Sequence, residues 1–317
     1  MYGRSNMLGW ITLLLSTAIG SFWGFWGALE NFHEGWWMPS LGARLLWTSA
    51  YLGPMLVTVS LGAVAVRWPR AGAVSWASLG IAFTGFIFIG HWGHLTAVAM
   101  LSWLPLTAMP IAVGGMWWFG RPRPRRFALL LVIGLPVLTA LVFGAEPAWR
   151  VSQRRDDEIR TERRVEGNGV TLLWAPTGPG WVLDARHACS WSEAMDRCAR
   201  LSVDGARLEE VPVNFWRLPT VSEAVGSMTR GGRNAGGQWD AASATASYRI
   251  KPDKESPLWV VYAETIYWWT STEVGQVEAY RVVYDGRVDA LPRTLRMGTL
   301  GFRAVRDPVR DPGAQGR

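Results

Sequence analysis

Hydrophobic and polar positions divide the chain into two unlike halves. Four stretches, 5–29, 45–66, 71–120 and 127–145, contain no Asp, Glu, Lys or Arg. A helix needs about 20 apolar residues to cross the hydrocarbon core of a bilayer. The first, second and fourth stretches each predict one span; the third is long enough for two, turning at "HWGH" (91–94). The pattern thus predicts five helices, at about 8–28, 45–66, 72–90, 96–119 and 127–145. None has the polar face of a soluble amphipathic helix. Gly and Pro within them ("LGPM", "IGLP") are common in membrane spans. One Arg ahead of the first span, no small-x-small site and the spans that follow argue against a cleavable signal sequence.

From residue 150 the texture is polar. "RVSQRRDDEIRTERRVEG" (150–167), with Asp156 and Arg160 four apart, predicts a solvated linker. "GVTLLWAP" and "GWVLDA" predict strands joined by a Gly/Pro turn at 176–180. In "SWSEAMDRCARL", Ser190 with Glu193 three residues on is a capping-box signature, and Trp191, Ala194, Cys198 and Leu201 share one helical face. "NFWRLPTVSEA" (214–224) repeats the device. Trp216 and Leu218 alternate as in a strand, Pro219 keeps Leu218 extended, and Thr220 with Glu223 caps a second helix at about 221–229. Strand-like runs resume with "LWVVY", "TIYWWTST", "EAYRVVYDG" and "GFRAVRD", with Asp-Gly marking a hairpin. The end, 308–317, is expected to be disordered.

Charge adds an orientation. Residues 1–149 carry 8 Arg and 3 Glu, a balance of +5; residues 150–317 carry 24 Lys/Arg and 22 Asp/Glu, or +2, which completes the net +7. The basic excess thus belongs mainly to short loops of the apolar half rather than to a folded polar surface, which argues against a nucleic-acid partner. With five spans, Arg4, Arg67, Arg70, Arg121, Arg123, Arg125 and Arg126 fall on one side, against Arg44, Glu30 and Glu34 on the other. The positive-inside bias then makes the N-terminus cytoplasmic and exports residues 146–317. An even number of spans reverses this.

The series "LLW…SWSEAMDRCARL…FWRLPTVSEA…YWWTST…AYRVVYDGRV…GFRAVRD" resembles, in order and spacing, the bacterial Lcl/DUF1566-type domain over about residues 165–307. That family belongs with the C-type-lectin-like folds and is related to formylglycine-generating, sulfatase-modifying proteins. The resemblance implies an α+β module with two helices, twisted antiparallel sheets and long loops presenting a ligand surface. It implies a rim formed by the "GGRNAGG" loop (231–237), with Trp239, Asp240, Tyr248, Trp268 and Trp269 as ligand-binding candidates, although strand neighbours face opposite sides, so a core role for one of the paired tryptophans is at least as well supported. Two departures matter. The oxidase relatives use a pair of late cysteines, and no Cys follows Cys198. Calcium-dependent lectins use Glu-Pro-Asn and Trp-Asn-Asp, and neither occurs.

Cys189 and Cys198 either form a disulfide or stay as thiols. Nine helical positions would put them about 13 Å apart, beyond the roughly 7 Å a disulfide tolerates. In the resembling family the cysteine at Cys198 often pairs with one near the end, where this chain has Ala304. The remaining candidates concern metal and catalysis. His33, His91 and His94, with Glu30 or Glu34, fall at one predicted membrane face and have the donor chemistry of a Zn, Cu or Fe site. The simpler reading, that these residues mark helix ends, is preferred. His187 with Asp184 and Ser190 is not a catalytic set, since Ser190 is accounted for as a cap. "GGRNAGG" lacks the Lys-Ser/Thr of a phosphate loop. The expectation is a multi-pass bacterial inner-membrane protein whose outer domain recognises a ligand or protein without catalysis and without a cofactor. The alternatives are a divergent sulfatase-modifying enzyme, or a membrane haem or metal protein with an accessory domain.

Overall fold

A computed structural model describes residues 2–36, 38, 40–90, 101–155, 161–176, 189–261 and 263–308. The chain forms two compact units, one from 1–36 and 40–149, the other from 37–39 and 150–317.

The first unit is helical: α1 (Tyr2–Glu30), a π-helical turn (Asn31–Gly35), α2 (Leu41–Arg67), α3 (Pro69–Gly90), α4 (Ala108–Phe119) and α5 (Arg125–Ser152). Ser40 caps α2 by accepting from the Ala43 amide. Trp68 ends α2, and Pro69 restarts the chain as the first residue of α3, a position where its missing N–H costs nothing. Four segments, Arg4–His33, Leu41–Arg67, Pro69–Gly90 and Arg125–Ser152, are long and apolar enough to cross a membrane.

The expected helix at 96–119 is described only in part, since 96–100 lie outside the described residues. Within 96–119 the described residues are helical at 101–103, turn at 104–107, and form only the 12-residue α4. At 1.5 Å per residue α4 rises about 18 Å, short of a core about 30 Å thick. Pro105 lies in the break, where a proline denies the helix a donor.

Close contacts give the helix directions. A Cβ on Gly24 would meet Met55 on α2 and Ala140 on α5, while one on Gly20 would meet Thr58 and Pro136. So α2 runs against α1 and α5 runs with it. On α3, Gly80 approaches Thr107 and Ile111, whereas Gly114 on α4 approaches Ala73 and Ala77, so α4 runs back along α3. The chain then returns to the start of α1: the Arg121 amide donates to the Ser5 carbonyl at 2.9 Å, and the Arg123 amide to Asn6 Oδ1 at 2.8 Å. Arg4, Arg67, Arg70, Arg121, Arg123, Arg125 and Arg126 therefore sit at one end of the bundle.

The second unit is strand-rich. Strands β1 (Arg163–Gly167), β2 (Val170–Trp174) and β11 (Val305–Arg306) make one sheet in the order β1-β2-β11. The larger sheet, β10-β7-β8-β9, uses β7 (Tyr267–Val274), β8 (Glu278–Val283), β9 (Val288–Pro292) and β10 (Leu300–Gly301). Two small ribbons pair β3 (Thr229–Arg230) with β4 (Arg233–Asn234), and β5 (Gln238–Asp240) with β6 (Thr245–Ser247).

Both expected helices form with complete capping boxes: α6 (Trp191–Arg200) on Ser190 and Glu193, and α7 (Val221–Gly226) on Thr220 and Glu223. The second is shorter than expected because Thr229 and Arg230 are taken up in β3. The Asp285-Gly286 turn joins β8 to β9, with Gly286 at φ +93°. "LWVVY" is a correction. Leu258, Trp259 and Val261 are buried but in turns and coil, without a ladder partner. The expected strand "GWVLDA" and His187 lie outside the described residues.

Candidate recognition surface

Residues 201–214 form a loop tied down along its length. Leu201 bridges Leu208, the Ser202 amide donates to the Arg207 carbonyl at 2.9 Å, and the Glu209 amide to the Arg200 carbonyl at 2.8 Å. Asp204 builds the turn: its Oδ1 accepts from Ser202 Oγ at 2.6 Å and from the Ala206 amide at 3.0 Å. Those bonds, the serine's first, hold its carboxyl below the usual range. Gly205 takes the φ of +72° that lets the chain reverse there. Buried Trp216 anchors the base by donating its indole N–H to the Ser202 carbonyl at 2.9 Å.

The loop borders a cleft of about 980 Å³, lined by Glu162, Ser202–Asp204, Arg207 and Glu209–Val213. Its side chains are an unusual mixture. Val203, Val211 and Val213 expose 55, 70 and 40 % of their surface, the last two flanking Pro212, and Leu208, on the same loop but outside the lining, exposes 36 %. Among them stand four carboxylates. Arg207 pairs with Glu209 at 2.8 Å and Arg306 with Glu162 at 2.9 Å. Asp204 and Glu210 have no ion-pair partner among the described residues. Exposed aliphatic side chains beside polar groups have the composition of an interaction surface, and among the described cleft residues the carboxylates outnumber the arginines. Because the backbone is fixed by its own hydrogen bonds, a partner would not have to order it.

The residues expected to form the rim are elsewhere. Trp268 and Trp269 are corrected from ligand-lining candidates to core residues, 2 and 0 % exposed. Strand neighbours point to opposite faces, but β7 is covered on both. Trp268 lies 6.1 Å from Trp259, centroid to centroid, and Trp269 donates to the Cys189 carbonyl at 3.0 Å. Half-buried Trp239 packs edge-on against Tyr280 at 5.1 Å. Asp240 is exposed but closes its own turn, accepting from Ser243 Oγ at 2.6 Å and the Ala242 amide at 2.9 Å. The hydroxyl of half-buried Tyr248 lies 3.1 Å from the Met228 sulfur, and burial pushes its pKa up, with help from Asp285. These three share the β5–β6 ribbon region; the cleft is lined by none of them. The alternation of Val with acids in "SVDGARLEEVPV" has no helix or strand period, so sequence reasoning passed over it as an ordinary loop.

Cys189 and Cys198 are buried free thiols, so the disulfide alternative is not realised. Desolvation pushes Cys189 up to about 11 against the pull of Arg197, and also lifts Cys198 well above the usual thiol range. For the metal candidates, Glu30 and His33 are described at the α1 end, and His91 and His94 lie outside the described residues. Among the described residues no cluster of three or more His, Cys, Asp or Glu could hold an ion.

Together the fold and the cleft define a helical-bundle protein carrying a strand-rich unit with an acidic-aliphatic surface. No protein-family model, curated protein or solved structure matches this chain.

Proposed function

We propose that this is a multi-pass membrane protein of the bacterial inner membrane that holds a C-type-lectin-like recognition module outside the cytoplasm. The module binds a cationic, partly apolar polypeptide segment in the 202–213 cleft. The observation that carries the reading is the set of four exposed aliphatic side chains on a hydrogen-bonded loop, beside Asp204 and Glu210, whose carboxylates have no salt bridge among the described residues. Four apolar helices and the arginines gathered at one bundle end support the membrane placement. The sequence resemblance over 165–307 supports the lectin-like reading of the module. The absence of the late cysteine pair supports recognition over oxidation.

The test uses full-length protein in lipid nanodiscs and fluorescent peptides of equal length, built from Lys/Leu, Glu/Leu or Ser/Leu. Binding of the Lys/Leu peptide is expected, weakening with salt, as rim electrostatics do. Glu210→Lys and Val211→Asp should each weaken it about tenfold, since a like charge or a buried charge at an interface costs upward of a kcal/mol. Equal binding of all three peptides, or variants indistinguishable from wild type, would remove the proposal.

A further inference from the structure

Charge in the helical unit is fully segregated. Its only carboxylates are Glu30, Glu34 and Glu146. Glu30 ends α1, Glu34 is in the π-helical turn that follows, and Glu146 lies close to the end of α5. All three belong to the end of the bundle opposite the seven arginines. Those arginines are therefore left without a carboxylate of their own unit to neutralise them. All seven are exposed, and none forms a salt bridge among the described residues.

The backbone that carries them is held in place. Besides the Arg121 and Arg123 amide bonds to the start of α1, Ser5 Oγ donates to the Phe119 carbonyl at 2.9 Å. Trp10 gives its indole N–H to the Arg123 carbonyl at 3.2 Å. Two of the arginine groups are also level with one another. A Cβ on Gly62 of α2 would meet Val132 of α5. Arg67 stands five residues beyond the one and Arg126 six before the other, so at about 1.5 Å per residue they reach nearly the same height. Apolar surface comes right up to this end, where Trp68, Phe119, Phe127 and Leu130 are exposed. A soluble polyanion would leave those side chains bare. A phospholipid satisfies both features: guanidinium groups bind its phosphate in pairs of charge-assisted hydrogen bonds, and its chains cover the apolar flanks.

We infer that the arginine end is a binding site for anionic phospholipid, selected over zwitterionic lipid, with Arg67 and Arg70 of the α2–α3 corner and Arg125 and Arg126 of α5 holding the phosphate. The inference rests on the membrane reading of the bundle and is independent of what the second unit binds.

The experiment places the full-length protein in nanodiscs of phosphatidylglycerol and phosphatidylethanolamine, equimolar and with the same chains. Lipids that stay bound on release are counted by native mass spectrometry. Wild type is expected to keep phosphatidylglycerol in excess. A basic residue beside an anionic surface contributes about 1 kcal/mol, roughly fivefold in a binding ratio. Arg67→Gln/Arg70→Gln and Arg125→Gln/Arg126→Gln should therefore each cut the excess by about fivefold or more, while Arg44→Gln, at the opposite end, leaves it unchanged. Equal retention of the two lipids, or an excess that survives both double variants, overturns the inference. An equal loss in Arg44→Gln also overturns it, since charge anywhere would then serve. So does glycerol phosphate competing as well as intact lipid, which would mark a site for a soluble anion. Carbonate extraction of membranes separates this failure from failure of the membrane reading: a protein that stays in the pellet yet keeps both lipids alike loses only the lipid site.

Discussion

At the Trp216–Thr220 corner a single carboxylate accepts from three donors. Glu223 takes the Thr220 amide at 2.7 Å and both terminal nitrogens of Arg217 at 2.8 Å. Burial works to raise its pKa, but Arg217 and the Thr220 amide outweigh it, and the group titrates below the ordinary carboxylate range. A depressed folded pKa means the contribution is full above the unfolded value of about 4.3 and is lost as pH falls through the folded one. Glu223→Gln keeps the amide contact and removes the charge. It should therefore destabilise the second unit by about 1–2 kcal/mol at pH 7, read by urea unfolding of the full-length protein. The gap should shrink below about pH 4; an equal penalty at pH 7 and pH 3 would contradict the charge argument. The thiols give a second residue-scale expectation. The thiolate is the reactive form, so iodoacetamide at pH 8 should leave Cys189 and Cys198 unmodified in the folded protein and alkylate both in urea. A species two mass units lighter that resists alkylation would show a disulfide instead.

Elements formed as the sequence implied wherever the signal was local. Ser190 with Glu193 and Thr220 with Glu223 specify two helix starts without reference to anything distant. Asp285-Gly286 specifies a hairpin in the same way. Non-local burial was not legible. Trp268 and Trp269 read as one face in and one face out until Trp259 and the start of α6 cover both sides of β7. The aliphatic residues of 203–213 carry no period, so nothing in the string told that they stay exposed. In the apolar half, composition gave the spans but not the break at Pro105, because charge-free residues 71–120 look alike whether helical or not. The α3–α4 contact offers a test at this scale. A Cβ on Gly114 would stand 2.6 Å from the Ala73 carbonyl oxygen, while one on the next residue, Gly115, would meet nothing within 4 Å. Alanine favours a helix by about 1 kcal/mol over glycine, so Gly115→Ala should be neutral or stabilising. Gly114→Ala should lower the thermal midpoint of the detergent-solubilised protein, as overpacking costs about 1–3 kcal/mol. Equal midpoints for the two variants would mean that the helices do not meet as closely as described.

For the molecule as a whole, the proposed membrane placement turns on helix direction rather than on span count. The 12-residue α4 is too short to cross alone, yet it brings the chain back to Ser5, where Arg121 and Arg123 are hydrogen-bonded. From there α5 runs in the same direction as α1 and leaves the bundle at the opposite end. The seven arginines therefore mark one end of the bundle, and α5 ends at the other. Under the proposed membrane placement, the positive-inside bias would make the arginine end cytoplasmic and put the second unit outside. A cysteine can report this directly because the two native thiols are buried. Val277, 72 % exposed on the second unit, and Trp68, 60 % exposed at the α2–α3 turn, are suitable positions. In intact spheroplasts a membrane-impermeant maleimide should label Val277→Cys at once and Trp68→Cys only after permeabilisation. The opposite pattern would place the acidic cleft in the cytosol, where its partner would have to be a cytosolic protein and the arginine end would face outward against the charge bias.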